Sequence, residues 1–80
     1  MNYSIRARAE CDEMIDEAKF GQLVRKYAIE YDMRGSVQVM VAALDEMGIS
    51  NQEIVSYLSA SNQSISNART KYRQHLAMMQ

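Results

Sequence analysis

Proline and tryptophan are absent from this 80-residue chain, glycine occurs three times and cysteine once. A chain so short of the residues that punctuate loops and strand turns, with no sustained two-residue alternation, is read as all-α. A single cysteine excludes an internal disulfide and favours a reducing setting. Long hydrophobic runs are missing too: the most apolar stretch, Val37 to Leu44, is short, internal and interrupted by Gln38, which argues against a membrane span or a signal peptide. A soluble, cytoplasmic protein is expected.

The mass of 9.2 kDa sets the next limit, because surface scaling lets such a chain bury only about 63% of its unfolded surface. One domain spanning residues 1–80 is therefore expected, with a core small enough to need help from a metal, a staple or a partner. No metal or staple pattern is apparent, so a homodimer is the default expectation. Charge is nearly balanced, 9 basic against 10 acidic side chains, but unevenly placed. Residues 1–60 hold six of the cations and all of the acids, whereas residues 61–80 hold Arg69, Lys71 and Arg73 with no acid. Overall acidity hides a basic end, and for a polyanionic partner the local field matters more than the total.

Apolar spacing suggests a small bundle of four to five helices. Residues 4–19 carry Ile5, Cys11, Met14, Ile15 and Ala18 opposite Glu10, Asp12, Glu13, Asp16 and Glu17, with Ser4 as a candidate cap. Phe20, Leu23, Val24, Tyr27, Ala28 and Tyr31 continue the period in shifted phase, as a second helix hinged near Gly21 or as one bent rod. Asp32 to Gly35 reads as a loop, and Ser36 as the cap of a helix bearing Val37, Met40, Val41, Leu44 and Met47, stopped by Gly48. Ser50 with Glu53 then forms a capping box, flanked by the hydrophobic staple Ile49 and Ile54, so a short helix begins at Asn51. It runs through Ile54, Val55 and Leu58 and is broken by Ser59 to Asn62. Ser61 caps a last helix striped by Ile65, Ala68, Tyr72, Leu76 and Met79.

The stretch from Gly48 to Asn67 resembles the helix-turn-helix of bacterial transcription regulators, especially the LuxR type and region four of sigma factors. The matching elements are Gly48-Ile49-Ser50-Asn51 with Glu53-Ile54, then Leu58, then Ser61 at the turn, then Ile65-Ser66. In that resemblance Ile54, Leu58 and Ile65 form the inward apolar triad, while Val55 stands where alanine is usual and Ser59 where glycine is frequent. It covers about 30 residues, up to Leu76, says nothing about residues 1–35, and implies that residues 48–80 are a helix-turn-helix with an extended recognition helix, 62–78; the helices of residues 1–47 are expected to supply core and dimerisation.

A helix reads the major groove only if one face is free and the other is clamped. Gln63, Ser66, Asn67 and Thr70 fall on one side of the last helix, and Ile65, Ala68 and Tyr72 on the other. Glutamine and asparagine pair bidentately with adenine, and serine or threonine bonds to several base edges. The face holds no arginine, so guanine readout requires Arg69 or Arg73 to bend into the groove. Ser61, Asn62, Lys71 and Arg73, with Asn51 and Gln52 from the preceding helix, are the expected phosphate-side contacts, and Ser64 is a further expected DNA-binding residue.

Other residues read as structural. Cys11 lies among acids that would raise a thiol pKa and is expected in the core. His75 has no neighbouring ligand and is expected to be exposed or at a phosphate. Asp12, Glu13, Asp16 and Glu17 lack a calcium loop's pattern and read as a hydrated face. Met14, Met40 and Met47 are assigned to the core, Met78 and Met79 to a second subunit. No nucleophile and base share a workable spacing, and neither an enzyme nor a cofactor is expected. The leading expectation is a dimeric DNA-binding regulator of bacterial, phage or plasmid type, a repressor that binds double-stranded DNA. The alternative is a protein-interaction module aimed at polymerase, a sigma factor or a nuclease; RNA binding ranks third.

Overall fold

The computed structural model describes residues 15–79, and within them the chain is all-helical, with no strand. Helix α1 spans Glu17–Arg25, runs on into a π-helical turn at Lys26–Glu30, and is followed by α2 (Ser36–Glu46), α3 (Asn51–Leu58) and α4 (Asn62–Met78). The candidate cap Ser4, Cys11 and Met14 lie outside the described residues. Asp16 belongs to no helix: its backbone is extended and its carboxylate accepts the Lys19 N–H at 3.1 Å, so it caps α1. Helix α1 therefore starts after Asp16 and passes through Gly21 without a break. Neither the 4–19 helix boundary nor a hinge at Gly21 survives, because a side chain able to cap outranks a glycine that has nothing to turn for.

Helix α2 is the centre of the molecule. Val39 and the four consecutive residues Val41, Ala42, Ala43 and Leu44 are buried, so this helix is covered on nearly all sides and has no single apolar stripe. Val37, read as part of that stripe, is 39% exposed, and the buried methionine is Met33 in the preceding loop, while Met40 and Met47 are half-buried. Ser36 is not the cap of α2 but its first residue. Gly35 occupies the capping position at φ 90°, in the region that glycine alone enters freely. The residue able to make the turn thus has no side chain with which to cap.

Leu44 and Val41 of α2, Ile54 of α3 and Ile65 of α4 are the largest fully buried side chains and belong to one cluster. Each is worth roughly 1.5–3 kcal/mol relative to an exposed position, so together they fix how α3 and α4 sit on α2. Helix α1 closes the other side. Phe20 meets Tyr57 of α3 edge to face at 5.6 Å, and Tyr27 meets Tyr31 in the same way at 5.2 Å. The Tyr27 hydroxyl donates to Glu46 at 2.5 Å, and Lys26 reaches the same carboxylate at 3.3 Å. No helix among the described residues is long and apolar enough to cross a membrane.

Candidate nucleic-acid interface

Local grammar builds the last two helices and the turn between them. Gly48 at φ 78° ends α2, the Ile49 N–H closes back on the Leu44 carbonyl at 3.1 Å, and Ser50 Oγ accepts the Glu53 N–H at 3.3 Å to start α3. Ile49 packs against the core beside fully buried Ile54, as a staple should. At the far end Ser59 adopts the left-handed conformation, φ 52° and ψ 44°, and the Ala60 N–H reaches the Val55 carbonyl at 3.2 Å. Ser61 Oγ then accepts the Ser64 N–H at 3.1 Å and donates to Ser64 Oγ at the same distance. This satisfies one of the orphan donors of α4.

Helix α4 divides cleanly. Ile65, Ala68 and Tyr72 are buried, whereas Gln63, Ser66, Asn67, Thr70, Lys71 and Arg73 are exposed. Gln63 Nε2 donates to Asn67 Oδ1 at 3.0 Å, so the two amides stand side by side on one face, four residues apart. The same spacing carries on from Thr70 to Gln74, also exposed. Gln74, outside the expected set, follows from the same helical period as Gln63, Asn67 and Thr70. Among the described residues neither Lys71 nor Arg73 has a carboxylate within ion-pairing distance. The open arc of α4 is thus amide, hydroxyl and cation, with no anion of its own.

Arg69 departs from the expectation that it bends towards a groove. Its Nε donates to Asp45 Oδ2 at 2.8 Å and its Nη2 to Asp45 Oδ1 at 2.9 Å, a two-pronged grip on the end of α2. Its remaining Nη1 donates to Asn51 Oδ1 at 3.1 Å, and Asn51 Nδ2 donates in turn to Asn62 Oδ1 at 2.8 Å. Three residues expected to contact DNA separately are therefore joined to one another. Gln52 and Ser64 stay exposed beside them. The Tyr72 hydroxyl also donates to Asp45 Oδ2, at 2.5 Å. Burial alone would raise the Asp45 carboxyl, but the bonds from Arg69 and Tyr72 outweigh it and hold it below its ordinary value. The Arg69 guanidinium is pushed up by its bonds to Asp45, and the Tyr72 hydroxyl by burial and then by the bond to Asp45.

Two further placements depart from the sequence reading. His75 is half-buried, with Nε2 2.6 Å from the Tyr31 carbonyl oxygen, so that nitrogen donates and holds the tail of α4 on the residue that ends the π-helical turn. A groove of about 310 Å³ runs between the start of α2 and α4, lined by Gly35, Ser36 and Gln38 on one side and Ser64, Asn67 and Lys71 on the other. Local pattern could not reveal that wall, because Gln38 precedes Ser64 by more than twenty residues and meets α4 only in the folded chain. As for metals, no group of three or more His, Cys, Asp or Glu among the described residues could hold an ion. Asp16 is spent as a helix cap, and Glu17 accepts from the Tyr57 hydroxyl at 3.5 Å. No protein-family model, curated protein or solved structure matches the chain.

Proposed function

We propose that this protein is a sequence-specific DNA-binding regulator, acting as a homodimeric repressor that lays α4 in the major groove. The observation that carries this reading is the division of α4: an unbroken polar and cationic arc faces solvent while Ile65, Ala68 and Tyr72 anchor the reverse side in the core. Gln63 and Asn67 supply the adenine-type amides, Ser66 and Thr70 the adaptable hydroxyls, and Lys71 and Arg73 the charge for phosphates. Repression asks only for occupancy of a promoter, which binding alone provides.

The test is affinity for random-sequence duplex at 50 and 200 mM salt, followed by selection of preferred sites. If Lys71 and Arg73 from each of two protomers neutralise phosphates, affinity falls about 10²-fold between those salts. Asn67→Ala should relax base preference by roughly 1–3 kcal/mol, whereas Arg73→Ala should weaken every sequence about equally and lower the salt slope by about one. Equal effects from the two substitutions, or no binding at either salt, would contradict the reading; the latter would favour the protein-interaction alternative.

A further inference from the structure

In the proposed binding mode, discrimination between sequences depends on how α3 and α4 are angled, because α4 presents the reading face while the helix before it meets the backbone. One polar chain crosses that angle. It starts at Asp45 on α2, is forked by Arg69 in the middle of α4, passes through Asn51 at the first position of α3, and ends on Asn62 at the first position of α4. We propose that the Asp45–Arg69 pair, extended through Asn51 to Asn62, is a positioning device that sets sequence discrimination and makes no phosphate contact of its own. This inference rests on the DNA-binding reading.

Three observations carry it. Both carboxylate oxygens of Asp45 and three guanidinium nitrogens of Arg69 are used within the protein, and the paired side chains are only 19% and 24% exposed. Three of the five guanidinium N–H donors are thus taken, and the charge already faces a carboxylate. The Asn51–Asn62 bond joins the leading turns of two helices eleven residues apart, the same turns whose backbone N–H groups would face the DNA backbone. Finally, Arg69 lies directly before Thr70 and three residues after Ser66, so whatever fixes Arg69 also fixes the residues that read.

Arg69→Lys separates the possibilities, since lysine keeps the charge but cannot fork a carboxylate. Affinities for a selected site and for random duplex are measured across salt, with circular dichroism as the folding control. Positioning predicts that the ratio of specific to random affinity falls roughly 10-fold, the worth of about one base contact, while the salt slope stays at the wild-type value. Arg69→Met should do the same, and Asp45→Asn combined with it should add nothing. A phosphate contact predicts instead that Arg69→Lys behaves like wild type and that Arg69→Met lowers the salt slope by about one at both sites; that outcome overturns the proposal. Equal loss at both sites with an unchanged slope marks mere loss of folded protein and overturns it too. Should the Arg69 variants unfold, Asn51→Ala leaves the ion pair intact and cuts the chain at its exposed end. Retained discrimination in Asn51→Ala counts against the proposal, and lost discrimination supports it. A wild-type protein that binds no duplex brings down the DNA reading itself, whereas one that selects sites while Arg69→Lys keeps full discrimination brings down this inference alone.

Discussion

Asp45, which the pattern of the sequence does not single out, ties the end of α2 to α4 through Arg69 and Tyr72. Its carboxyl is held low against the pull of burial by Arg69 and Tyr72, and that of Glu46 is lowered by the Tyr27 hydroxyl, against some burial, and by Lys26. A carboxyl depressed by folding stabilises the native state above its unfolded value, near pH 4, and the contribution disappears as pH falls through the depressed folded value. The Tyr27 and Tyr72 hydroxyls, raised by burial and then by the same carboxylates, act in the opposite sense. Their contribution is present below about pH 10 and is lost as pH climbs beyond it. Urea melts of wild type between pH 2 and pH 7 should show an acid limb that Asp45→Asn flattens. At pH 7 the same variant should lose about 1–3 kcal/mol, because a half-buried guanidinium is left without its partner. An unchanged acid limb would show that Asp45 is not the titrating group. Sequence reasoning passed over Asp45 because its partners lie 24 and 27 residues away, beyond the reach of any local spacing rule. It recognised Arg69 as a cation but had no means of seeing where that charge is spent.

At the level of the helix, most of what neighbouring residues decide is legible in the sequence, the caps at Asp16 and Gly35 excepted. Ser50 and Ser61 cap the helices they were expected to cap, Gly48 stops α2, and Ile54 and Ile65 are fully buried. The caps and the stop depend on residues within one turn of each other, and the two isoleucines follow the helical period that sets the inward face. Elements governed by distant packing are not legible in this way: the spacing in α2 suggests one apolar stripe although three other elements cover it, and nothing around Met33 marks it as buried. Ser59 offers a test at this scale. It sits in the left-handed region, which costs a residue with a Cβ about 1–2 kcal/mol, partly offset because glycine has more unfolded freedom to lose. Ser59→Gly should therefore stabilise the fold by about 0.5–1 kcal/mol, readable as a rise in Tm of a few degrees. A fall in Tm would mean that the Ser59 side chain supports the turn in some other way.

The whole molecule joins a basic closing helix to an otherwise acidic chain, an asymmetry visible in the sequence. The all-helical class was equally visible, because it follows from composition and period. How α4 is backed by α2 was not, since that arrangement emerges only from the assembled core. At this scale the proposed function predicts self-association: sedimentation should give twice the chain mass at binding concentrations, and selected sites should hold two half-sites about 34 Å apart. A monomer protecting a single half-site would remove the dimer from the proposal. One joint ties the two ends of the described fold together, the wide turn at Lys26–Glu30, closed by the Tyr31 N–H on the Lys26 carbonyl at 3.3 Å, with His75 seated on the Tyr31 carbonyl. Such a turn accommodates one residue more than regular winding does. Loss of a single codon between Arg25 and Tyr31 would rewind it, swing that carbonyl about 100° around the axis and unfasten the imidazole. The joint is therefore far more vulnerable to in-frame deletion than to the exchange of one side chain for another.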